Sequence, residues 1–178
     1  MMLSLPIADW MAVTEEAVLE VATIALSTSD CKLGSHDGGA TQALGAYLAL
    51  LGHDTSLQVG LLSDASGCQL LSKMLLGMAP EEENLSDSDI ADAMCELINV
   101  IAGGIKRRVS DRLQINLGLP LFVAGVPRPG HHSHVVLTQV RIADAFAAVL
   151  LMSPRTQQET ATTAGDAGAR AIGRGAVS

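Results

Sequence analysis

The chain has 178 residues, of which 11 are Lys or Arg and 19 are Asp or Glu, so its formal net charge is −8. This length suffices for a buried core without disulfides or a structural metal, and the acidity argues against a nucleic acid or another polyanion as partner. Hydrophobic residues make up 48% of the sequence but aromatic residues only 2%. The core is therefore predicted to be aliphatic, and no base-stacking platform is expected.

The cysteines and the amino terminus predict a cytoplasmic protein. Cys31, Cys68 and Cys95 form no CxxC motif and cannot all pair with one another, which fits a reducing compartment. No Lys or Arg precedes the first short apolar run, so no secretory signal is predicted. The longest apolar stretch, 43–52, is about half of the roughly 20 residues that a membrane helix needs.

The first part of the chain is predicted to form a helix, a strand hairpin and a second helix. Apolar residues recur at helical spacing over 8–26, and the polar segment 27–39, which ends in HDGG, predicts a loop. Two apolar runs, 44–51 and 56–62, predict the hairpin. Asp64 is the expected N-cap of the second helix. The apolar face of that helix consists of Cys68, Leu71, Met74, Leu75 and Met78.

A long third helix is predicted over about 87–109. Ser86 is a typical N-cap residue, and Asp87 and Asp89 lie in the first turn, where the helix dipole favours negative charge. The large apolar side chains of this helix fall within about 100° of one another, the width of a buried stripe. These side chains are Ile90, Met94, Leu97, Ile98, Ile101 and Ile105.

Three strands are predicted after this helix, over 113–124, 135–141 and 145–151. Pro120 predicts a bulge or an edge position in the first of them, and the turn 142–145 is expected to pair the last two. This order of elements indicates an α+β fold, in which an antiparallel-rich sheet has helices packed on a face.

The end of the chain differs in composition from the rest. Residues 154–178 are mostly Ala, Gly and Thr with almost no large apolar side chain, and such a segment cannot offset the entropy lost on ordering. We therefore expect one domain over 1–153 and a flexible tail over 154–178.

The exposed face of the third helix contains the candidate catalytic residues. Asp92, Glu96, Asn99 and Gly103 lie opposite the apolar stripe, and Glu96 and Asn99, three residues apart, are neighbours on that face. An amide can orient a water molecule towards an electrophile, and a carboxylate can bind a Lys or Arg of a partner. Gly103 lacks a side chain beside this pair, which leaves room for a partner. Most such pairs on helix surfaces have no function, so spacing alone leaves both interpretations open.

The segment 92–106 resembles the signature helix of the CheX branch of the CheC/CheX/FliY chemotaxis phosphatases, where Glu-x-x-Asn precedes a hydrophobic pair and Ala-Gly. The resemblance extends over about 13–152. Other matching parts are Leu50-Leu51-Gly52, Leu61-Leu62-Ser63, Leu119-Pro120 and Gly125. One departure is Gly104, because many relatives have Asn at this position.

This resemblance implies a phosphatase that dephosphorylates a phospho-aspartyl CheY-like response regulator, in chemotaxis or a related two-component pathway. Asn99 would orient the attacking water, and Glu96 would pair with the regulator's phosphoryl-coordinating Lys. The regulator holds the Mg²⁺, so no cofactor of the chain's own is expected. Neither Glu16 nor Glu20 of the first helix is followed by Asn three residues later, which predicts one site per chain. The resemblance also implies a homodimer formed through the sheets, with no nucleic acid or membrane partner.

Two alternatives from other functional classes remain open at this point. A non-catalytic module of the same fold would bind a receiver domain, or serve for dimerisation, without shortening the lifetime of the phosphoryl group. A small-molecule-binding domain would use the apolar hairpin region. The first alternative differs from the phosphatase only in its effect on phosphoryl decay.

Three further motifs have ordinary interpretations. The cluster 131–134 contains three His, but neighbouring side chains of a strand point to opposite faces, so a loop rim is favoured over a metal site. The basic residues 106–108 are suited to a helix C-terminus. The acidic run 81–83 is typical of a solvated loop, although it would also suit a basic rim on a partner.

Overall fold

The computed structural model describes residues 5–34, 44–53, 56–125 and 133–154. The helices are α1 (Ile7–Ile24), α2 (Ala65–Leu75) and α3 (Asp87–Val109). The strands are β1 (Cys31–Leu33), β2 (Leu44–Gly52), β3 (Ser56–Ser63), β4 (Ile115–Leu117), β5 (Leu121–Ala124), β6 (Ser133–Ile142) and β7 (Ala145–Pro154).

The strands form one antiparallel sheet in the order β1-β6-β7-β3-β2-β4, and β5 pairs with β2. Two hairpins, β2 with β3 and β6 with β7, make up its centre and are joined where β3 pairs with β7. The sheet and helices confirm the predicted α+β fold class. Both hairpins and the bounds of all three helices agree with the sequence to within a few residues.

The structure corrects the sequence prediction at both edges of the sheet. The predicted loop over 27–39 contains strand β1, which pairs with β6 and is anchored where Arg141 Nη2 donates to Asp30 Oδ1 at 2.7 Å. The predicted strand over 113–124 is two strands, β4 and β5, which both pair with β2. Pro120 lies in the gap between them because it has no N–H for a ladder hydrogen bond.

The helices cover one face of the sheet and enclose the core. Side chains of α1 and α3 pack there on alternate residues of the central strands, as expected for a sheet buried on one face. The largest fully buried side chains are Trp10, Leu48, Leu50, Leu61, Leu71, Met94, Leu97, Ile98, Ile101, Ile105, Leu150 and Leu151. On the opposite face, Tyr47, Leu62 and Leu150 form a second, small cluster.

Several predictions fall outside the described residues. The last described residue is Pro154, at the end of β7. Only this first residue of the predicted tail is therefore described. His131 and His132 are also outside, whereas His134 lies in β6. Among the described residues, no helix is long and apolar enough to span a membrane.

Candidate functional site

The start of α3 is fixed by a capping box. The backbone N–H of Asp89 donates to Ser86 Oγ at 3.2 Å, and the backbone N–H of Ser86 donates to Asp89 Oδ2 at 3.3 Å. These bonds satisfy donors that a helix N-terminus otherwise leaves without partners. The register of the whole helix, and thus the direction of each side chain on it, begins from this cap.

The loop that leads into α3 is held by a buried lysine. Lys73 is only 2% exposed, and its Nζ donates to the carbonyl oxygens of Pro80 at 2.8 Å and Glu82 at 2.6 Å, and more weakly to Asn84 Oδ1 at 3.4 Å. A buried ammonium is tolerated because oxygen acceptors replace its water. Sequence reasoning missed this role, since a Lys near a helix C-terminus is ordinarily exposed.

Glu96 and Asn99 lie on the outer face of α3, as predicted. Glu96 is exposed and Asn99 is half-buried, while the intervening Leu97 and Ile98 are fully buried. Within the described part of the chain, neither polar side chain forms a hydrogen bond or an ion pair. Their Cβ atoms are about 5–6 Å apart, as for any pair three residues apart on a helix. Both groups are therefore available to one partner at the same time.

The thiols are poorly suited to nucleophilic catalysis. Burial raises the pKa of the Cys68 thiol to about 11, and burial followed by the nearby Asp92 carboxylate raises the pKa of Cys95. Burial and the neighbouring Asp30 likewise raise the pKa of Cys31. Because the thiolate is the nucleophile, all three are in the unreactive protonated form near neutral pH.

The two consecutive glycines of α3 have different surroundings. A Cβ on Gly104 would lie 3.2 Å from Ala17 Cβ and 3.3 Å from Arg108 Nη1, so α1 packs closely at this point. A Cβ on Gly103 would have no atom within 4 Å. Gly104 thus permits the close contact between α1 and α3. Glycine at position 103 costs about 1 kcal/mol relative to Ala with no gain in internal packing.

The carboxylates of α1 are occupied by arginines from the end of α3. Arg107 Nη2 lies 2.6 Å from Glu20 Oε1, and Arg108 contacts both Glu20 Oε2 at 2.5 Å and Glu16 Oε2 at 3.4 Å. The hydrogen bond from Arg108 is the main cause that holds the pKa of Glu20 below its ordinary 4.5. The basic cluster at the end of α3 therefore joins two helices, beyond its predicted effect on the helix dipole.

Strand β5 and the edge of the sheet flank the other side of α3. The backbone of Phe122 lies near Cys95 and slightly opposes the effect of burial on the pKa of that thiol. Among the described residues, no group of three or more His, Cys, Asp or Glu is arranged to hold a metal ion. The site thus offers one carboxylate and one amide, which can orient and bind groups supplied by a partner.

Solved structures share this fold at low sequence identity. A CheX–CheY–BeF3–Mg²⁺ complex from Borrelia burgdorferi has a TM-score of 0.67 at 15% identity, over 83% of this chain and 98% of that one. Chemotaxis protein CheX from Desulfovibrio desulfuricans gives 0.66 at 14%, over 82% and 99%. CheX from Vibrio vulnificus gives 0.64 at 15%, over 80% and 97%. These similarities show the fold.

The sequence itself places the chain in a family. No curated protein sequence matches it significantly. Residues 47–138, just over half of the chain, match the family described as chemotaxis phosphatase CheX. This match includes the larger part of β2 and all of β3, α2 and α3, with the Glu96 and Asn99 pair. The chain is therefore a member of the CheX family.

Proposed function

We propose that this protein hydrolyses the phospho-aspartyl group of a CheY-like response regulator, and that Asn99 and Glu96 are its catalytic residues. The observation that carries the proposal is that both side chains lie on one accessible face of α3 without partners among the described residues. The family description supports it, as does the Borrelia burgdorferi complex, in which a CheX binds CheY with BeF3 and Mg²⁺.

Asn99 acts on the attacking water. Its amide oxygen accepts a hydrogen bond from the water and directs a lone pair of the water's oxygen at phosphorus, opposite the aspartyl oxygen that leaves. A bond forms between the water oxygen and phosphorus, and the phosphorus–oxygen bond to the aspartate breaks. The products are the free carboxylate of the regulator and inorganic phosphate, which takes both protons of the water and releases one of them to solvent near neutral pH.

Glu96 binds the partner's cation. The carboxylate would repel a phosphoryl group unless it met a positive charge, and the phosphoryl-coordinating Lys of the regulator supplies one. Because Glu96 precedes Asn99 by three residues, this ion pair also fixes how Asn99 enters the pocket. Mg²⁺ belongs to the regulator's half of the active site, so this chain needs no metal ligand.

The helix-free face of the sheet suits a second copy of the chain. Leu121 is 64% exposed and pairs with Tyr47, and Leu137 is 49% exposed and pairs with Leu150, so these side chains share one face. Phe146 is exposed on the same face, and a cleft of about 390 Å³ lies beside Leu121. Contiguous exposed apolar surface is typical of protein interfaces. A homodimer formed through this face leaves α3 free on the opposite side.

Decay of a phosphorylated regulator tests the proposed function. A CheY-type regulator from the same genome is phosphorylated with radiolabelled phosphate, and its decay is followed with and without the protein, with Phos-tag gels as a second readout. We expect a catalytic amount of the protein to shorten the lifetime. If a stable complex forms and the lifetime is unchanged or longer, the phosphatase proposal is wrong and the non-catalytic receiver-binding module is the better assignment.

A further inference from the structure

Nothing in the described part of the chain requires a glycine at position 103. A Cβ at this position would meet nothing within 4 Å, and its backbone is not in the left-handed region that favours glycine. Glycine is also among the poorest helix formers. Neither packing nor backbone geometry therefore explains a glycine in the interior of a 23-residue helix.

The direction of helical side chains places position 103 over the candidate site. Side chains on an α-helix point back towards the N-terminus and cover the preceding turn. A side chain at position 103 would therefore lean over Asn99 and Val100. The other neighbour on this flank, Ala102, is small and fully buried. Glycine thus leaves the C-terminal flank of the Asn99 amide open.

An open flank matters because an asparagine side chain is short. Its amide enters a pocket of another protein only if the rim of that pocket comes close to the helix backbone, and glycine is the residue that permits such an approach. Val100 lies beside this gap and is 37% exposed. The Val100 side chain can therefore make an apolar contact with the rim of the partner's pocket.

From the proposed function we infer that Gly103 and Val100 form the surface against which the rim of the phosphorylated receiver domain packs, and that Gly103 determines which partners fit. The matching partner has an apolar, closely fitting ridge beside its phospho-aspartate pocket. A side chain at position 103 holds that ridge away from the helix and withdraws Asn99 from the phosphoryl group.

Substitutions of increasing size at Gly103 test this inference. The regulator is loaded with beryllofluoride and Mg²⁺, and its Kd for the wild-type chain, Gly103→Ala and Gly103→Leu is measured by calorimetry. We expect Gly103→Leu to weaken binding by about 10- to 10²-fold, the effect of forcing a larger side chain into a closely packed contact, and Gly103→Ala to weaken it less. The Tm of Gly103→Ala should rise by about 2–4 °C, because Ala is the better helix former.

Thr23→Leu is the matched control. It adds an exposed leucine one turn beyond Glu20, which pairs with the C-terminal end of α3 far from Asn99, and should leave the Kd unchanged. The inference is overturned if Gly103→Leu is folded and binds as tightly as the wild type. If the Kd depends on Gly103 but the protein does not accelerate decay of the phosphorylated regulator, only the phosphatase proposal is wrong. If the protein accelerates this decay but the wild type and the Gly103 variants have equal Kd values, only the present inference is wrong.

Discussion

Arg108 Nη2 lies 2.5 Å from Glu20 Oε2 and joins the C-terminal end of α3 to the C-terminal part of α1. Arg107 adds a second contact to the same carboxylate, and Gly104 allows the two helices to approach closely one turn earlier. The C-terminal third of the helix with the candidate residues is therefore fixed by charge at its end and by close packing one turn earlier.

This ion pair makes stability dependent on pH in the acid range. The pKa of Glu20 in the folded state is below 4.5, so its contribution is complete above about pH 4.5 and is lost as the pH falls through the folded pKa. Glu20→Gln should lower the midpoint of urea unfolding at pH 7, and the difference from wild type should vanish at the lowest pH. Glu83→Gln, at an exposed carboxylate, is the control; an equal difference at every pH would contradict this assignment.

Removal of the Asn99 amide should abolish most of the catalysis. Asn99→Ala is expected to lower the rate of regulator dephosphorylation by about 10²-fold or more, because the attacking water loses its positioning group. The fold should persist, since Asn99 forms no hydrogen bond within the described chain. Asn116→Ala, at an exposed position on β4, should retain full activity. Equal phosphoryl decay with both variants would rule out Asn99.

Loss of the Glu96 charge should weaken the productive complex. Glu96→Gln keeps the shape of the side chain but cannot form an ion pair with the regulator's Lys, so we expect KM to rise by about 30-fold, equivalent to about 2 kcal/mol. Steady-state kinetics at two salt concentrations is the measurement, and KM of the variant should depend less on salt. Asp144→Asn, at an exposed turn, serves as the control. An unchanged KM would exclude this role for Glu96.

The ammonium group of Lys73 should stabilise the fold through the loop before α3. Lys73→Met keeps a long apolar stem but leaves the Pro80 and Glu82 carbonyl oxygens without their donor. We expect the free energy of unfolding to fall by about 2–3 kcal/mol in urea titrations. The exposed Lys106→Met should change it by less than about 0.5 kcal/mol. Comparable stability of the two variants would contradict a structural role for this lysine.

A charge on the helix-free face should dissociate the proposed homodimer. Leu137→Glu places a carboxylate in the apolar patch of β6, and light scattering coupled to size exclusion should give a monomer mass for it and a dimer mass for the wild type. Leu76→Glu, on an exposed leucine at the end of α2, should remain dimeric. A monomeric wild-type chain at micromolar concentration would exclude this interface.

Much of the architecture followed from local patterns. The apolar stripe of α3 predicted its buried face, and Ser86 predicted its start, because helical periodicity and capping depend on residues within one or two turns. Strand β1 was missed because three residues are too few to show alternation, and its position depends on β6, more than a hundred residues later. Pro120 was expected to cause a bulge or to lie at an edge. It instead separates two strands, because β2 pairs with β4 before Pro120 and with β5 after it.

The sequence by itself determined that Glu96 and Asn99 share an outward face, since an angle of 100° per residue is a property of the backbone alone. Only the tertiary structure showed that the two glycines differ. Gly104 is required for the close contact with α1, whereas nothing in the described chain requires Gly103. The tertiary structure also revealed that Lys73 is buried and that Glu20 is already paired. Contacts between distant segments create these differences, and no local pattern contains them.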